Sequence, residues 1–593
     1  MEPGFKIVRL EAFVGKNSLR TTTLLAALTV GGACSGSSDL ATKSAAGGAS
    51  NGGGRMTVTY RTEPQSFNRY VSPYIAEETV TRLIHSTLVR LNRATRQVEP
   101  RLAHDWVVSP DGLTWTFHLE GGVTFSDGTP FTSADVLFSF QAIYDPKVDS
   151  PLASSLTVGG KPLVARAPDD RTVIVSLPGP SGPGVGLLDS FPIYPRHKLQ
   201  AALAAGTFKD AWGVTTPPAD IAGLGPFVIA KYEPGVRIEF ARNPRYWRKD
   251  ASGRQLPYLD GIEMQIVPSQ NAEVLRLQSG EVDLTTDQVR AEDLAALRGL
   301  EAKGAVQLST AGPTISPDLL WFNLAPGAAV AKTRPWLQKE ELRRAISYAV
   351  DRRAIANTVY LGAAEPIWGP ITPGYGDWFQ ADLPRTDVDR AKTASLLSSI
   401  GLSDRTGDGL VDDASGKTAR VSILVPKNTA RDRVALMIQE QVRQAGLAVD
   451  LVATDPRAMA ASLKSGQFDA IFFAFLIDTF EPAPDFWLSS GPFHVWNPGQ
   501  KTPATPWEAQ IDGLFEKQST SLDAAERRRL FSEAQRVYAE HLPAVYFVAA
   551  NVTVAASARV KGIVPSVLPP PVLWNAEMLS IGPASAAGSA ERR

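Results

Sequence analysis

The spacing of apolar residues changes period several times along this chain and predicts a mixture of strands and helices. Residues 57–60 read as an opening strand. Val80, Leu83, Ile84 and Leu88 fall on one face of a helix predicted over 77–91. Trp115, Phe117 and Leu119 alternate with Thr114, Thr116 and His118, the period of two of a half-buried strand. Thr132 and Asp135 stand three apart ahead of Val136, Leu137 and Phe138, a capping-box arrangement with Asp in place of Glu. That helix is expected to stop at Asp145-Pro146. A further strand is expected over 171–177, and the Pro/Gly-rich run 178–186 reads as a loop.

The stretch 225–284 is the one around which the rest of the chain is organised. Phe227, Val228 and Ile229 lead to a turn at Glu233, Pro234 and Gly235, and Ile238 and Phe240 lie on the return strand. Asn243, Pro244, Arg245, Tyr246 and Trp247 form an aromatic corner, 263–267 a third strand, and a helix from 271 ends near Gly280. None of these residue types suggests chemistry, so the stretch reads as scaffold. Beyond it, 319–324 reads as a buried strand, 340–360 as one long helix closed by Gly362, and 387–400 as another closed by Gly401. From Arg420 the order becomes strand (421–425), helix (431–444), strand (448–452), helix (457–464), strand (468–475). This is the rhythm of an α/β lobe with parallel pairing. A last helix over 521–540 precedes a strand over 544–550 that is expected to return to the first sheet.

Composition narrows the class. A chain of 593 residues exceeds one ordinary domain. Its 44% hydrophobic and 20% charged content describes a globular protein with ample core. A formal charge of -1 gives no general pull toward nucleic acid, and no nucleic-acid partner is expected. The single cysteine, Cys34, excludes an intrachain disulfide. Lys16 and Arg20 precede an apolar run from Leu24 to Val30, followed by Gly31, Gly32 and Ala33, which is the layout of an export signal. The run is too short to span a bilayer as a mature helix. Small residues directly before Cys34 match a bacterial lipoprotein cleavage site, with Gly31 standing where such sites usually carry Leu. The expectation is a signal peptide over 1–33, lipidation of Cys34, a Ser/Gly/Ala-rich tether over 34–55 and a frayed tail over 584–593. A secreted protein with an incidental cysteine is the alternative.

Several segments carry a resemblance to a known family: Asn243 to Trp247 with Ser279-Gly280-Glu281-Val282-Asp283-Leu284, then 115–146, then Leu342 to Arg352. From about 57 to 579 the chain resembles family 5, the peptide-binding family of solute-binding lipoproteins of bacterial ABC importers. That family also includes binders of nickel complexes, haem and some oligosaccharides. The resemblance implies an α/β, two-lobed periplasmic-binding-protein fold of type II with an extra inserted subdomain. Domain I would be discontinuous, from 56–75, 196–320 and 548–583. Domain II, 76–195, would be inserted, and domain III, 321–547, would form the opposite lobe. It further implies a monomeric, exported protein of the periplasm or cell envelope. This protein would close by hinge motion on a peptide ligand and present it to the permease transmembrane subunits. No enzymatic activity and no cofactor is implied. Departures over 490–506 leave a nickel chelate, haem or an oligosaccharide open as the solute. An exported hydrolase, a sensor and a surface adhesin are the other classes that remain.

Asp478 leads the ligand candidates. It follows an apolar run over 470–477, and ligands of open α/β sheets gather outside the carboxyl ends of strands. Asp478-Thr479-Phe480-Glu481-Pro482 resembles the family's Asp-x-x-(Asp/Glu)-Pro element, whose first Asp holds the α-ammonium of a bound peptide. A helix-capping Asp is the alternative. Phe475, Leu476 and Trp487 flank it as candidate pocket walls. Alternation puts Phe473 and Phe475 on one side and Phe472 and Ala474 on the other. The family often carries Trp where Phe475 stands. The resemblance places Glu63 where ligand backbone pairs with protein backbone, against the plainer reading of a surface turn before Pro64. Asn323 is a further candidate, expected to line the crossover between lobes. Asp404, Asp408 and Gly409 fit part of a calcium loop, but Thr406 and Ser415 are poor ligands, so an acidic turn is expected and no metal site is assigned. Ser415-Gly416-Lys417-Thr418 lacks the glycine that a phosphate-binding loop needs five residues before Gly416. The six histidines are scattered, and no catalytic set is assigned.

Overall fold

Arg55–Tyr60 lies in the middle of the largest sheet of this computed structural model, which describes residues 53–582 except Leu476 and Asp478. The expected signal peptide, Cys34, most of the tether and the tail therefore lie outside the described residues. The strand pairs in parallel with Gly261–Ile266 on one side and Leu284–Thr285 on the other. With neighbours on both edges, Met56 and Val58 are fully buried, as a central parallel strand requires. The hairpin Phe227–Glu233 and Arg237–Arg242 extends the sheet antiparallel beyond Gly261–Ile266. Val548–Ser557 and Val306–Pro313 extend it on the other side, and Ala364–Pro366 pairs with the start of Val548–Ser557.

The aromatic corner after the hairpin is pinned from within. Buried Asn243 donates through Nδ2 to Gly225 O at 2.8 Å, and its Oδ1 accepts from Arg245 N. Gly225 is required here: a Cβ would lie 2.4 Å from the carbonyl carbon of Ile84, against which its own N–H donates at 2.9 Å to Ile84 O. Tyr246 is buried and accepts from Arg101 at 3.1 Å. Beside it Glu577 accepts from Arg90, Arg101 and Arg248 at 2.6 to 2.8 Å. This ion cluster ties the C-terminal segment, the organising stretch and residues 90–101 together.

A second sheet of four antiparallel strands runs Ala103–Val108, Thr114–Leu119, Thr172–Ser176, Val164–Asp169. Its strand Thr114–Leu119 shows the expected alternation, with Trp115, Phe117 and Leu119 buried. Helix Ser133–Tyr144 begins with the capping box that the sequence implies: Thr132 N donates to Asp135 Oδ2 at 3.0 Å and Thr132 Oγ1 accepts from Ala134 N.

The opposite lobe holds a five-stranded sheet in the order Ala448–Thr454, Arg420–Pro426, Ala470–Phe473, Leu319–Phe322, Ala544–Tyr546. The first three strands are parallel, with helices Thr429–Gln444 and Pro456–Ser465 between them in sequence. Together the sheets form the two-lobed α/β architecture.

Four elements differ from the sequence reading. The helix expected over 77–91 spans Ile75–Ile84, because residues from Val89 form a local hairpin, Val89–Asn92 with Gln97–Pro100, whose turn is closed by Asn92 Oδ1. The long helix expected over 340–360 is two, Glu340–Ala349 and Arg352–Thr358. Val350 is extended, Asp351 caps the second helix through Ala354 N, and the bend lets the buried Arg352 guanidinium donate to Ser347 O, Thr386 O and Ile367 O. The strand expected over 468–475 is paired only from Ala470 to Phe473, the length of its neighbour Leu319–Phe322. The strand expected over 544–550 is divided: Ala544–Tyr546 pairs in the smaller sheet, and Val548–Ser557 in the larger.

That division marks where the chain passes between lobes. Phe547 and residues 314–318 are two of these passages, and Ala364–Pro366 reaches the larger sheet from second-lobe elements as well. The first two run side by side, since Pro313 pairs with Asn551 in one sheet and Leu319 with Tyr546 in the other.

Candidate ligand-binding site

An open cavity of about 660 Å³ lies against the 314–318 passage. Its walls include residues from the following elements, together with Ile371, Tyr375 and Tyr538. Ile315, Pro317 and Leu319 belong to the passage and the strand it enters. Phe473 ends the strand Ala470–Phe473, and Phe475 and Ile477 continue past its carboxyl end, which is where an open parallel arrangement leaves a crevice. Phe486 and Trp487 come from the short helix Pro484–Trp487. The passage is tied to the strand extension by Ile477 N, which donates to Ser316 Oγ at 3.0 Å.

Aromatic packing gives the cavity its shape. The Phe475 ring centre lies 4.7 Å from Phe473, 4.8 Å from Phe486 and 5.2 Å from Phe493. Trp487 forms part of the floor, buried against Phe531 and Tyr538. Trp321 stacks within 2° of parallel on Trp496, and its Nε1 is buried with no acceptor among the described residues. Glu481, at the rim, is paired with Arg527, whose Nη1 reaches Gly182 O of the other lobe at 2.6 Å.

The sequence candidates separate in space. Phe475 and Trp487 both line the cavity. Leu476 and Asp478 lie outside the described residues, in the same chain segment as Phe475 and Ile477. Glu63 does not line the cavity; it accepts from Tyr232 OH and from Gly235 N at 2.6 Å, which fastens the chain after the first strand to the hairpin turn. Asn323 is buried inside the second lobe, where its amide donates to Gly466 O and Phe468 O at 2.8 and 3.0 Å. It does not face the cavity. Ser316, Tyr375 and Arg527 carried no sequence signal, because the passage, a loop and a distant helix meet here only in the fold. The acidic turn at 404–412 has its carboxylates engaged by its own backbone: Asp404 accepts from Gly407 N and Gly409 N, and Asp408 from Leu410 N.

A smaller cavity of about 380 Å³ in the first lobe is lined by Glu78, Arg82, Arg90 and Asp189, among others. Its charges are already matched, Arg82 with Glu78 and Asp189, and Arg90 with Glu577, so its walls offer little to a charged ligand.

The model of the bacterial extracellular solute-binding proteins, family 5, matches residues 97–497, more than half the chain. The chain belongs to this family. Similar proteins include a probable ABC transporter-binding protein of Deinococcus radiodurans, 27% identical over 85% of this chain and 89% of its own length. Heme-binding protein A of Haemophilus influenzae is 27% identical over 92% of this chain and 96% of its own. Among solved structures, the oligopeptide-binding protein AppA of Bacillus subtilis, in complex with a nonapeptide, superposes with a TM-score of 0.68 at 22% identity, covering 90% of this chain and 99% of its own. NikA of Brucella suis, in complex with Fe(III)-EDTA, gives 0.74 at 20% identity, covering 89% of this chain and all of its own. The protein is thus a family 5 solute-binding protein, with the fold of ABC-transporter binding proteins.

Proposed function

We propose that this family 5 protein binds peptides between its lobes and delivers them to the transmembrane subunits of an ABC importer. The observation that carries this reading is the position of the aromatic cavity. It is built partly from the 314–318 passage, so in this reading rotation of one lobe about the adjacent passages at 314–318 and Phe547 reshapes the cavity wall. Ligand-dependent closure is the motion this reading requires.

Asp478 holds the α-ammonium of the peptide in this reading, next to Ile477 of the cavity wall. A charge-assisted contact of this kind is worth roughly 1.5–3 kcal/mol, or about 10- to 150-fold in affinity. Cys34 carries the lipid anchor, the protein works as an exported monomer, and the lobes correspond to domain I (56–75, 196–320, 548–583) with its inserted 76–195, facing 321–547. Support for a peptide comes from the relatives named as oligopeptide- and di/tripeptide-binding proteins.

The test is a thermal-shift screen with di- to hexapeptides, their N-acetylated forms, haem, nickel chelates and oligosaccharides. A native-state ligand raises the melting temperature by mass action. Stabilisation by free-amine peptides that is lost on acetylation and in Asp478→Ala is the expected result. Stabilisation by a non-peptide solute alone would overturn the peptide assignment and the role of Asp478. Retention of Cys34→Ser in the membrane fraction would overturn the anchor.

A further inference from the structure

Resting on the peptide-binding reading, we infer that the cavity selects a bulky apolar or aromatic side chain of the ligand, and that Arg527 sets this selectivity by cancelling the charge of Glu481. Glu481 is the sole carboxylate among the described lining residues. Left alone, it would attract a lysine or arginine side chain. It is not alone: Arg527 Nη2 pairs with it.

Arg527 is held so that it cannot turn away. Nη1 donates to Gly182 O at 2.6 Å, Nε to Gln518 O at 3.3 Å, and the guanidinium lies 5.1 Å from the centre of the Trp378 ring. Its side chain is 7% exposed, against 33% for Glu481. A cationic ligand side chain that reaches Glu481 therefore meets a neutral pair, and loses its hydration without gaining a free counter-charge from it. An apolar side chain meets Phe475, Phe486, Trp321 and Trp487, and offset or edge contacts between aromatic rings add to its burial.

The experiment is calorimetric titration with a tetrapeptide series on an alanine background, carrying phenylalanine, lysine or glutamate at each position in turn. At one position, phenylalanine is expected to bind about 10- to 150-fold more tightly than alanine, from burial of one aromatic side chain, and more tightly than lysine. Arg527→Met unmasks Glu481, and is expected to narrow the phenylalanine-to-lysine ratio at that position by about tenfold or more. Glu481→Gln leaves the Arg527 charge unmatched and is expected to raise affinity for the glutamate peptide instead; it also keeps the inference testable if Arg527→Met does not fold. Phe486→Ala is expected to remove most of the phenylalanine advantage.

Equal binding of the three side chains at every position, or a lysine preference in the unmodified protein, overturns this inference and leaves peptide binding standing. The same holds if whichever of the two charge variants folds leaves the ratios unchanged. Binding of none of the peptides overturns the peptide-binding reading, and this inference with it.

Discussion

The Arg96 guanidinium carbon lies 4.6 Å from the centre of the Phe480 ring. Arg96 belongs to the turn of the hairpin Val89–Asn92 and Gln97–Pro100, and Phe480 to the second-lobe segment between Ala470–Phe473 and Pro484–Trp487. The same guanidinium donates through Nη2 to Gly374 O at 2.9 Å. A second bridge lies nearby, where Gly182 N donates to Ser519 O at 2.8 Å. The lobes are thus joined at several points besides the chain passages.

Arg96→Ala removes a cation–π contact and a charge-assisted hydrogen bond across the lobes. For a partly exposed side chain their sum is about 1–2 kcal/mol after solvent screening. Ligand affinity is expected to fall about 5- to 30-fold, and the radius of gyration of the liganded protein to increase in small-angle scattering. An unchanged affinity with an unchanged radius would show that the bridge plays no part in closure.

Glu577→Gln tests the ion cluster that joins three parts of the first lobe. Burial opposes ionisation of this carboxyl, but Arg101, Arg90 and Arg248 outweigh it and hold it well below the usual carboxylate range. The substitution leaves buried cations without their shared counter-charge and is expected to cost about 3–5 kcal/mol in urea unfolding. Glu533→Gln, whose partner Arg529 has a side chain 60% exposed, is expected to change stability by less than about 1 kcal/mol.

Acid stability is expected to depend on Glu508. Burial pushes this carboxyl up, but His494, Trp496 and the backbone N–H of Ala504 more than compensate and bring it down to about 2, from an ordinary 4.5. Its folded-state pKa lies below the unfolded value, so its contribution is fully present above about pH 4.5. It is lost as pH falls toward 2, and amounts to about 3 kcal/mol. Melting temperature followed from pH 6 to pH 2.5 should fall less steeply in Glu508→Gln than in the unmodified protein. Equal slopes would remove Glu508 from the account.

Gly225→Ala is expected to destabilise the protein by roughly 1–3 kcal/mol, because the new Cβ meets the backbone of Ile84 and not a movable side chain. Gly235→Ala is the contrast. It meets no atom within 4 Å, so its cost comes from the φ of 70° alone. Chemical denaturation of both separates steric overlap from backbone strain.

What the sequence determined is local. The alternation from Trp115 to Leu119, the capping box at Thr132 and Asp135, the hairpin turn at Gly235 and the strand–helix rhythm after Arg420 are set by side-chain period and turn chemistry within a few residues. The family marks at Asn243 and Asp283 were legible by resemblance, and the structure adds what their side chains hold: Asn243 donates to Gly225 O, and Asp283 accepts from Thr57 N. Tertiary structure decided the rest. The helix over 340–360 breaks at Val350 because burying Arg352 requires carbonyls from Thr386 and Ile367, distant in sequence. The strand over 544–550 divides at Phe547 because each half finds its hydrogen-bond partners in a different sheet. Asn323 turned inward for the same kind of reason: Gly466 and Phe468 present carbonyls that its amide satisfies. The cavity combines residues from near 315, 475, 486 and 538. No periodicity couples those positions, so their meeting follows from how the sheets pack and not from any local preference.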